Sequence, residues 1–259
     1  MQNFYSPNYF SSDIFRYDYA AIAESIIKEY KPKRIIEFGC GNGDLAKAFA
    51  SRGVTVEAID GYSTPDFSNY SNISFTKVNL NDLSETLNFL KKFEVKFDLA
   101  LSIEVAEHLN PDISFSFIEW ITASADVIVF SAAVPNQDGD GHNNCRSRPE
   151  WYQWIKSKSF VIADTLRQYY TSNQRLGLWH KLNIIDYVHK DSVFAERIDN
   201  DALIERLITG ESFAASQCFY YVKKTVQRQN VLNLQPVKFS VYLRNYVVRL
   251  FGKNPLEID

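Results

Sequence analysis

Residues 34 to 45 read RIIEFGCGNGDL, in which a carboxylate, Glu37, precedes three glycines at alternate positions, Gly39, Gly41 and Gly43. Glycine lets a backbone approach a ligand closely, at a cost in conformational entropy that alanine would not incur. A dinucleotide turn of the form G-x-G-x-x-G seats a pyrophosphate against a helix N-terminus. Here the third position of that pattern falls on Asp44, whose charge repels phosphate, so the dinucleotide reading is disfavoured. An acid on the strand just before the turn suits a ligand with a positive ammonium and no phosphates. The carboxylate of Glu37 and the carbonyls of the turn would anchor that amino group. A generic strand-to-helix turn seldom needs three glycines in five residues.

The turn must be held between a strand and a helix, and the neighbouring sequence supplies both. Tyr19, Ile22, Ala23, Ile26, Ile27 and Tyr30 fall at helical spacing before Pro32 stops the run. Short β-branched segments then alternate with helical ones. They are RIIEF, the helical DLAKAFASRG, VTVEAI, ISFTKV, the helical LSETLNFLKKF, FDLALSI, the helical SFSFIEWI, and ADVIVFSAAV. Parallel strands need crossover helices, so this alternation predicts a parallel sheet. After a helical RPEWYQWIKSK, the segments FVIADTLRQYY and LGLWHKLNIIDYVHK read as two strands of a closing antiparallel hairpin.

Size and composition fit this plan. The chain has 259 residues, of which 46% are apolar, enough for one α/β domain with appendages and a full core. A formal charge of -3 offers little attraction to a phosphate backbone, so nucleic acid is not expected as a partner. Cys40, Cys145 and Cys218 are far apart and form no C-x-x-C pair, which argues against a disulfide framework and a zinc knuckle. A reducing cytoplasm suits them. The opening MQNFYSPNYFSSD has no basic segment followed by an apolar run, and no stretch reaches the roughly 18 apolar residues of a membrane span. A cytoplasmic protein is the expectation.

The E-x-G-x-G-x-G turn resembles the cofactor motif of the Rossmann-like (class I) methyltransferases that use S-adenosylmethionine. In that family an acid at the end of the second strand holds the ribose hydroxyls, and VEAIDG places Asp60, followed by Gly61, there. Asn79 and Leu80 of TKVNLND stand where the family reads the adenine amino group and its flat face. FDLALSIEVAEHL is similar to the family's fourth-strand segment, with Ser102 and Glu104 at its carboxyl end and Glu107 and His108 just beyond. His108 is read as a packing or capping residue. The loop FSAAVPNQDGDGHNN resembles the S-A-A-x-P to G-H-x-N stretch of a bacterial subset, which also carries an aromatic helix and a W-x-x-x-N element like Trp179 and Asn183.

The resemblance spans roughly residues 10 to 190 and implies a defined organisation. The fold is expected to be an α/β Rossmann-like three-layer sandwich, with a mostly parallel seven-stranded sheet, an antiparallel closing strand and a C-terminal extension. Residues 1–190 form the methyltransferase domain, with 1–31 as a helical lead-in, and 191–259 form the extension. The resemblance places Glu37, Gly39, Cys40, Gly41, Asp60, Gly61, Asn79, Leu80 and Ser102 around S-adenosyl-L-methionine, which leaves as S-adenosyl-L-homocysteine. Asp138, Asn144 and Cys145 depart from the subset, whose usual residues there are a glycine and a Glu-Gln pair.

Methyl transfer from a sulfonium needs alignment and exclusion of water more than activation of the electrophile. An alcohol or phenol acceptor also needs a base, and His142 is the first candidate, with Glu104 the second. Asp138, Asp140 and Asn143 could offer oxygens to Mg²⁺, but their spacing does not copy a known arrangement, so a metal-independent reaction is expected. The expected acceptor is a small molecule or a saccharide of the surface-glycan or secondary-metabolite type, methylated on oxygen. N-methylation of an amine and a catalytically inactive cofactor-binding subunit are the alternatives. Residues 237–253 carry Lys238, Arg244, Arg249 and Lys253 and no acid. That segment reads as a terminal helix packed on its own domain, with an anionic membrane surface or a protein partner as the other reading.

Overall fold

The computed structural model describes residues 17–137, 139–170 and 172–198. Helix α1 (Tyr19–Tyr30) opens the fold, capped by Asp18, which accepts from the Ala21 N–H, and closed by Lys31 in the left-handed region. Strands β1 (Arg34–Phe38), β2 (Thr55–Asp60), β3 (Ile73–Lys77), β4 (Leu99–Ile103) and β5 (Val127–Ser131) are linked through α2 (Asp44–Ala50), α3 (Leu83–Leu90) and α4 (Ser114–Ser124). Then follow α5 (Arg148–Ser157), β6 (Phe160–Ile162), α6 (Arg167–Tyr170), α7 (Leu178–Asn183) and β7 (Ile185–His189).

The seven strands form one sheet in the order β3-β2-β1-β4-β5-β7-β6. Strands β1 to β5 pair in parallel, and β7 runs antiparallel to both β5 and β6. This is the expected Rossmann-like sheet with its closing hairpin. Both faces are covered, as a parallel sheet requires. Ile36, Phe38, Ile128 and Phe130 pack on one side with Phe117, Ile118 and Ile121 of α4. Ile35, Leu99, Val127 and Val129 pack on the other with Ile22 and Ile26 of α1 and Phe49 of α2. The strand order reverses between β1 and β4, so a crevice opens at their carboxyl ends, where ligands bind in sheets of this kind.

The closing hairpin differs from its expectation in detail. FVIADTLRQYY is a strand only over Phe160–Ile162, and LGLWHKLNIIDYVHK begins as helix α7 before β7. Asp186 is one cause. It is fully buried on β7, and its carboxylate accepts from the Thr165 N–H, the Thr165 hydroxyl and the Leu166 N–H, pulling the chain after β6 out of the sheet. It also accepts from the Tyr30 hydroxyl, tying α1 to the sheet. In α7, burial falls on His180 and Asn183, a helical spacing that alternation cannot supply.

Residues 1–16 and 199–259 lie outside the described residues, and with them part of the expected lead-in, most of the expected C-terminal extension and the basic segment at 237–253. Among the described residues no helix is long and apolar enough to cross a membrane.

Replacing Asp186 by alanine removes the acceptor shared by four donors, two on the half-buried Thr165 and two on the buried Leu166 and Tyr30. Asp186→Ala is expected to lower the unfolding free energy by about 3 kcal/mol. Urea titration followed by circular dichroism checks this, and a loss under 1 kcal/mol would contradict the role given to the carboxylate.

Candidate functional site

The glycine turn is an extension of the sheet. The N–H groups of Gly39 and Cys40 both donate to the Ile59 carbonyl, at 2.8 and 3.0 Å, and the Gly41 N–H donates to Asp60 Oδ2 at 2.9 Å. The other oxygen of Asp60 accepts from the N–H groups of Tyr62 and Ser63, both at 2.8 Å. Asp60 thus fixes the turn after β1 to the turn after β2. Gly39 has φ +79°, and a Cβ built there would lie 2.5 Å from Val105 Cγ2, so both backbone and space demand glycine. Gly61 is packed against the end of β3, where a Cβ would sit 3.1 Å from Asn79 Cα.

Glu37 stands at the heart of this crevice. It is buried, and its Oε2 has no hydrogen-bond partner. Burial pushes its carboxyl up to about 8, with the charges of Asp60 and Asp44 adding to the rise. Cys40 is buried, and its thiol is raised well above the usual range by burial and by the charges of Glu37 and Asp60. Asn79 is half-buried with Oδ1 accepting from the Asn81 N–H, and Leu80 is buried beside it. Ser102 is fully buried on β4, with its Oγ unpartnered.

A second group sits where β4 ends. Glu104 has φ +54°, a left-handed backbone held by its N–H donating to the carbonyl and the hydroxyl of Ser131 on β5. Its carboxylate accepts from Gln137 Nε2 at 3.0 Å and from Asn183 Nδ2 at 3.3 Å. Burial raises its carboxyl despite hydrogen bonds from Ser131, Asn183 and Gln137 and the nearby His142. Glu107, one short turn later, is fully buried, and burial followed by the charge of Glu104 holds its carboxyl well above the usual range. His142 reaches this group from the loop after β5, with Nε2 4.0 Å from Glu107 Oε1. Its ring meets that of His108 edge-on at 4.8 Å. Burial and then the charge of His142 lower the His108 imidazole to about 4.

Two polypeptide segments therefore supply one cluster, and a backbone splice joins them. The N–H groups of Asn143 and Asn144 both donate to the Glu107 carbonyl. Aromatic rings close one side: Tyr17 lies 5.3 Å from Trp179 and 4.6 Å from His180, and its hydroxyl is raised to about 12 by burial and by the charge of Glu104. The structure thus brings His142 and Glu104 to one edge of the crevice and Glu37, Gly39, Cys40, Gly41, Asp60 and Gly61 to the other. Glu107 and Gln137 join the first group without a role assigned from sequence, and so does His108, which was read as a packing or capping residue. The E-x-x-E-H run was the available signal for Glu107 and His108. Asp140 and Asn143 are exposed, and Asp138 lies outside the described residues.

The open sheet, the glycine turn at its switch point and the acids at the ends of β1 and β2 define a Rossmann-like enzyme of the methyltransferase class. A family model described as a methyltransferase domain matches residues 15–183, and the chain belongs to that family. It is an S-adenosylmethionine-dependent methyltransferase. No protein of curated function matches it in sequence.

Similar solved structures include the 1,6-didemethyltoxoflavin-N1-methyltransferase of Burkholderia thailandensis with bound 1,6-didemethyltoxoflavin and S-adenosylhomocysteine. That likeness has a TM-score of 0.48 at 18% identity, over 69% of this chain and 82% of that one. The magnesium protoporphyrin IX methyltransferase of Synechocystis with bound S-adenosylhomocysteine has a TM-score of 0.47 at 14% identity, over 66% and 81%. The N-methyltransferase NodS of Bradyrhizobium japonicum has a TM-score of 0.47 at 14% identity, over 66% and 93%.

The crowding at Gly39 separates into a backbone part and a contact part. Gly39→Ala is expected to destabilise the protein, and by less when Val105→Ala is already present. A cost of about 1–2 kcal/mol should persist for the left-handed backbone. A urea double-mutant cycle measures both parts, and equal costs in the two backgrounds would refute the Val105 contact.

Proposed function

We propose that the protein methylates an oxygen of a small molecule or saccharide. The observation that carries this reading is the cluster at the end of β4, where Glu104, Glu107 and His142 gather beside the cofactor crevice. An alcohol must lose its proton as the methyl group arrives, and an amine with a free lone pair need not. Groups able to handle a proton are therefore expected for the first and superfluous for the second. The saccharide reading draws its support from the resemblance of the S-A-A-x-P to G-H-x-N loop.

The residues of the crevice fit the methyl donor. Glu37 keeps a buried oxygen without a partner, an arrangement that an ammonium group would complete. We assign the donor's amino group to Glu37 and the turn at Gly39, Cys40 and Gly41, its ribose to Asp60 and Gly61, and its adenine to Asn79 and Leu80, with Ser102 lining the floor. When bound, S-adenosylmethionine supplies a methyl group on a sulfonium sulfur. The chain's own work is to align that methyl with the acceptor, to keep water away, and to let the acceptor's proton go. We assign the last task to the cluster containing Glu104 and His142.

The raised carboxyl of Glu37 gives the donor assignment a pH signature. Below about 8 the free protein holds Glu37 protonated and neutral, whereas an ammonium ligand favours the carboxylate. Donor affinity should therefore rise with pH between 6 and 7.5, by up to about tenfold per unit. Glu37→Gln should be weaker and flat. In the free protein the sign is opposite: the folded state holds a proton that the unfolded state releases, so this group's contribution to stability falls as pH rises towards about 8. Calorimetric titration with S-adenosylmethionine at several pH values tests the assignment, and a wild-type profile as flat as the variant's would remove it.

Acceptor chemistry is tested by incubating the protein with methyl-labelled donor and a panel of sugars, hydroxylated small molecules and amines. Methyl groups on oxygen are expected, with Glu104→Gln lowering turnover by about 10²–10⁴ while donor affinity stays within twofold. Methylation confined to nitrogen, at rates indifferent to Glu104→Gln and His142→Ala, would establish the amine reading instead.

A further inference from the structure

Glu104 stands at the end of a hydrogen-bond relay that begins on a distant helix. Arg148, the first residue of α5, is buried, and its Nη2 donates to Asn183 Oδ1 on α7 at 3.5 Å. Asn183 Nδ2 donates in turn to Gln137 Oε1 at 2.9 Å and to Glu104 Oε1 at 3.3 Å. Gln137 Nε2 closes the triangle by donating to Glu104 Oε2 at 3.0 Å. Asn183 and Gln137 are both buried.

One residue sets the direction of this relay. A carboxamide accepts at its oxygen and donates at its nitrogen, so each amide could be turned either way, whereas a guanidinium only donates. Arg148 therefore draws the Asn183 oxygen towards itself and turns the Asn183 nitrogen towards Gln137 and Glu104. That nitrogen claims the Gln137 oxygen, which leaves the Gln137 nitrogen facing Glu104. Both carboxylate oxygens of Glu104 then meet donors, which favours the ionised form. With the two amides reversed, Glu104 would face two oxygens and could satisfy one of them at most, by keeping its proton. The reversed relay would also aim an amide nitrogen at the guanidinium.

The direction matters because Glu104 has an acidic neighbour. Two carboxyls side by side resist double ionisation, and burial raises both Glu104 and Glu107. The other titratable groups around Glu104 are His142 and Cys145 of the loop after β5, with Tyr17 and Tyr19 from the start of the fold. The cysteine and the tyrosines stay neutral at physiological pH, since burial and then nearby acids raise each of them. A protonated His142 adds to the preference for charge on Glu104.

We propose that Arg148 is a positioning residue for Glu104: by fixing the Asn183 and Gln137 amides it makes Glu104 the charged member of the Glu104–Glu107 pair and leaves the proton on Glu107. The relay would thus keep a carboxylate ready to receive the proton of a hydroxyl acceptor. Its purpose rests on the base reading of Glu104, but its charge assignment is measurable without an acceptor.

The full-length protein, with glutamate labelled by carbon-13 at Cδ, is titrated with acid and base by NMR, and Glu104→Gln and Glu107→Gln identify the two signals. Glu104 is expected to ionise before Glu107 in the wild type. Arg148→Met and, separately, Asn183→Leu should each raise the Glu104 midpoint by about one pH unit or more, because donors to the charged form are lost. Arg148→Lys still donates and should restore most of the shift, which a merely structural role for the side chain would not require. A melting temperature raised by S-adenosylhomocysteine shows that each variant is folded. A Glu104 midpoint unmoved in both Arg148→Met and Asn183→Leu overturns the proposal, as does a wild type in which Glu107 ionises first. The base reading is judged apart from this: turnover of an oxygen acceptor that is indifferent to Glu104→Gln would remove the base, while the shifted midpoints would still establish the relay.

Discussion

Buried acidic side chains at the switch point of the sheet govern this molecule. Glu37, Asp60, Glu104 and Glu107 all sit at or just beyond the carboxyl ends of β1, β2 and β4, in a crevice walled by hydrophobic layers and aromatic rings. Water cannot screen them there, and the fold supplies them with different remedies. Asp60 is neutralised by three backbone N–H groups, and Glu104 by the amides of Gln137 and Asn183. Glu37 and Glu107 are left with unpartnered oxygens, and their carboxyls are raised accordingly. The first pair of acids holds the architecture together, and the second pair is left with carboxyl oxygens that the protein itself does not satisfy.

The remedies follow chain geometry. Hydrogen bonds from Gly39 and Cys40 to Ile59 continue the β1–β2 pairing past the last strand residue, so the turn inherits the sheet's rigidity. Glu104 gains its position from a left-handed backbone clamped to Ser131, one strand over. The edge to which we assign catalysis is therefore built on β4 and β5, and the edge to which we assign the cofactor on β1 and β2. The reversal of strand order between β1 and β4 is what sets them face to face across one crevice.

Most of the sheet could be read from the chain because burial on two faces makes strands into continuous apolar runs, as in IIEF, LALSI and VIVFS. The glycine turn and Asp60 were legible for a local reason: their spacing is itself the geometry. Helix α7 was not legible, because LWHKLN is short and amphipathic only in relation to partners, Gln137 and Glu104, that lie far away in the chain. The pairing of Glu107 and His108 with His142 escaped for the same reason. It depends on two backbone hydrogen bonds between segments more than thirty residues apart, and residue types alone left His108 as a packing residue.

The splice of Asn143 and Asn144 onto the Glu107 carbonyl has an evolutionary consequence. Because the loop after β5 is secured by these main-chain bonds and by the buried Asn144 amide, its outward positions are released from any duty to hold the loop in place. Exposed residues such as Asp140 and Asn143 can then drift, insert or exchange charge without moving the imidazole that the loop delivers. Such a loop leaves those exposed positions open to be fitted to new acceptors, whereas Asn144, buried with its amide donating to the Ala106 carbonyl and the Ser114 hydroxyl, belongs to the anchor.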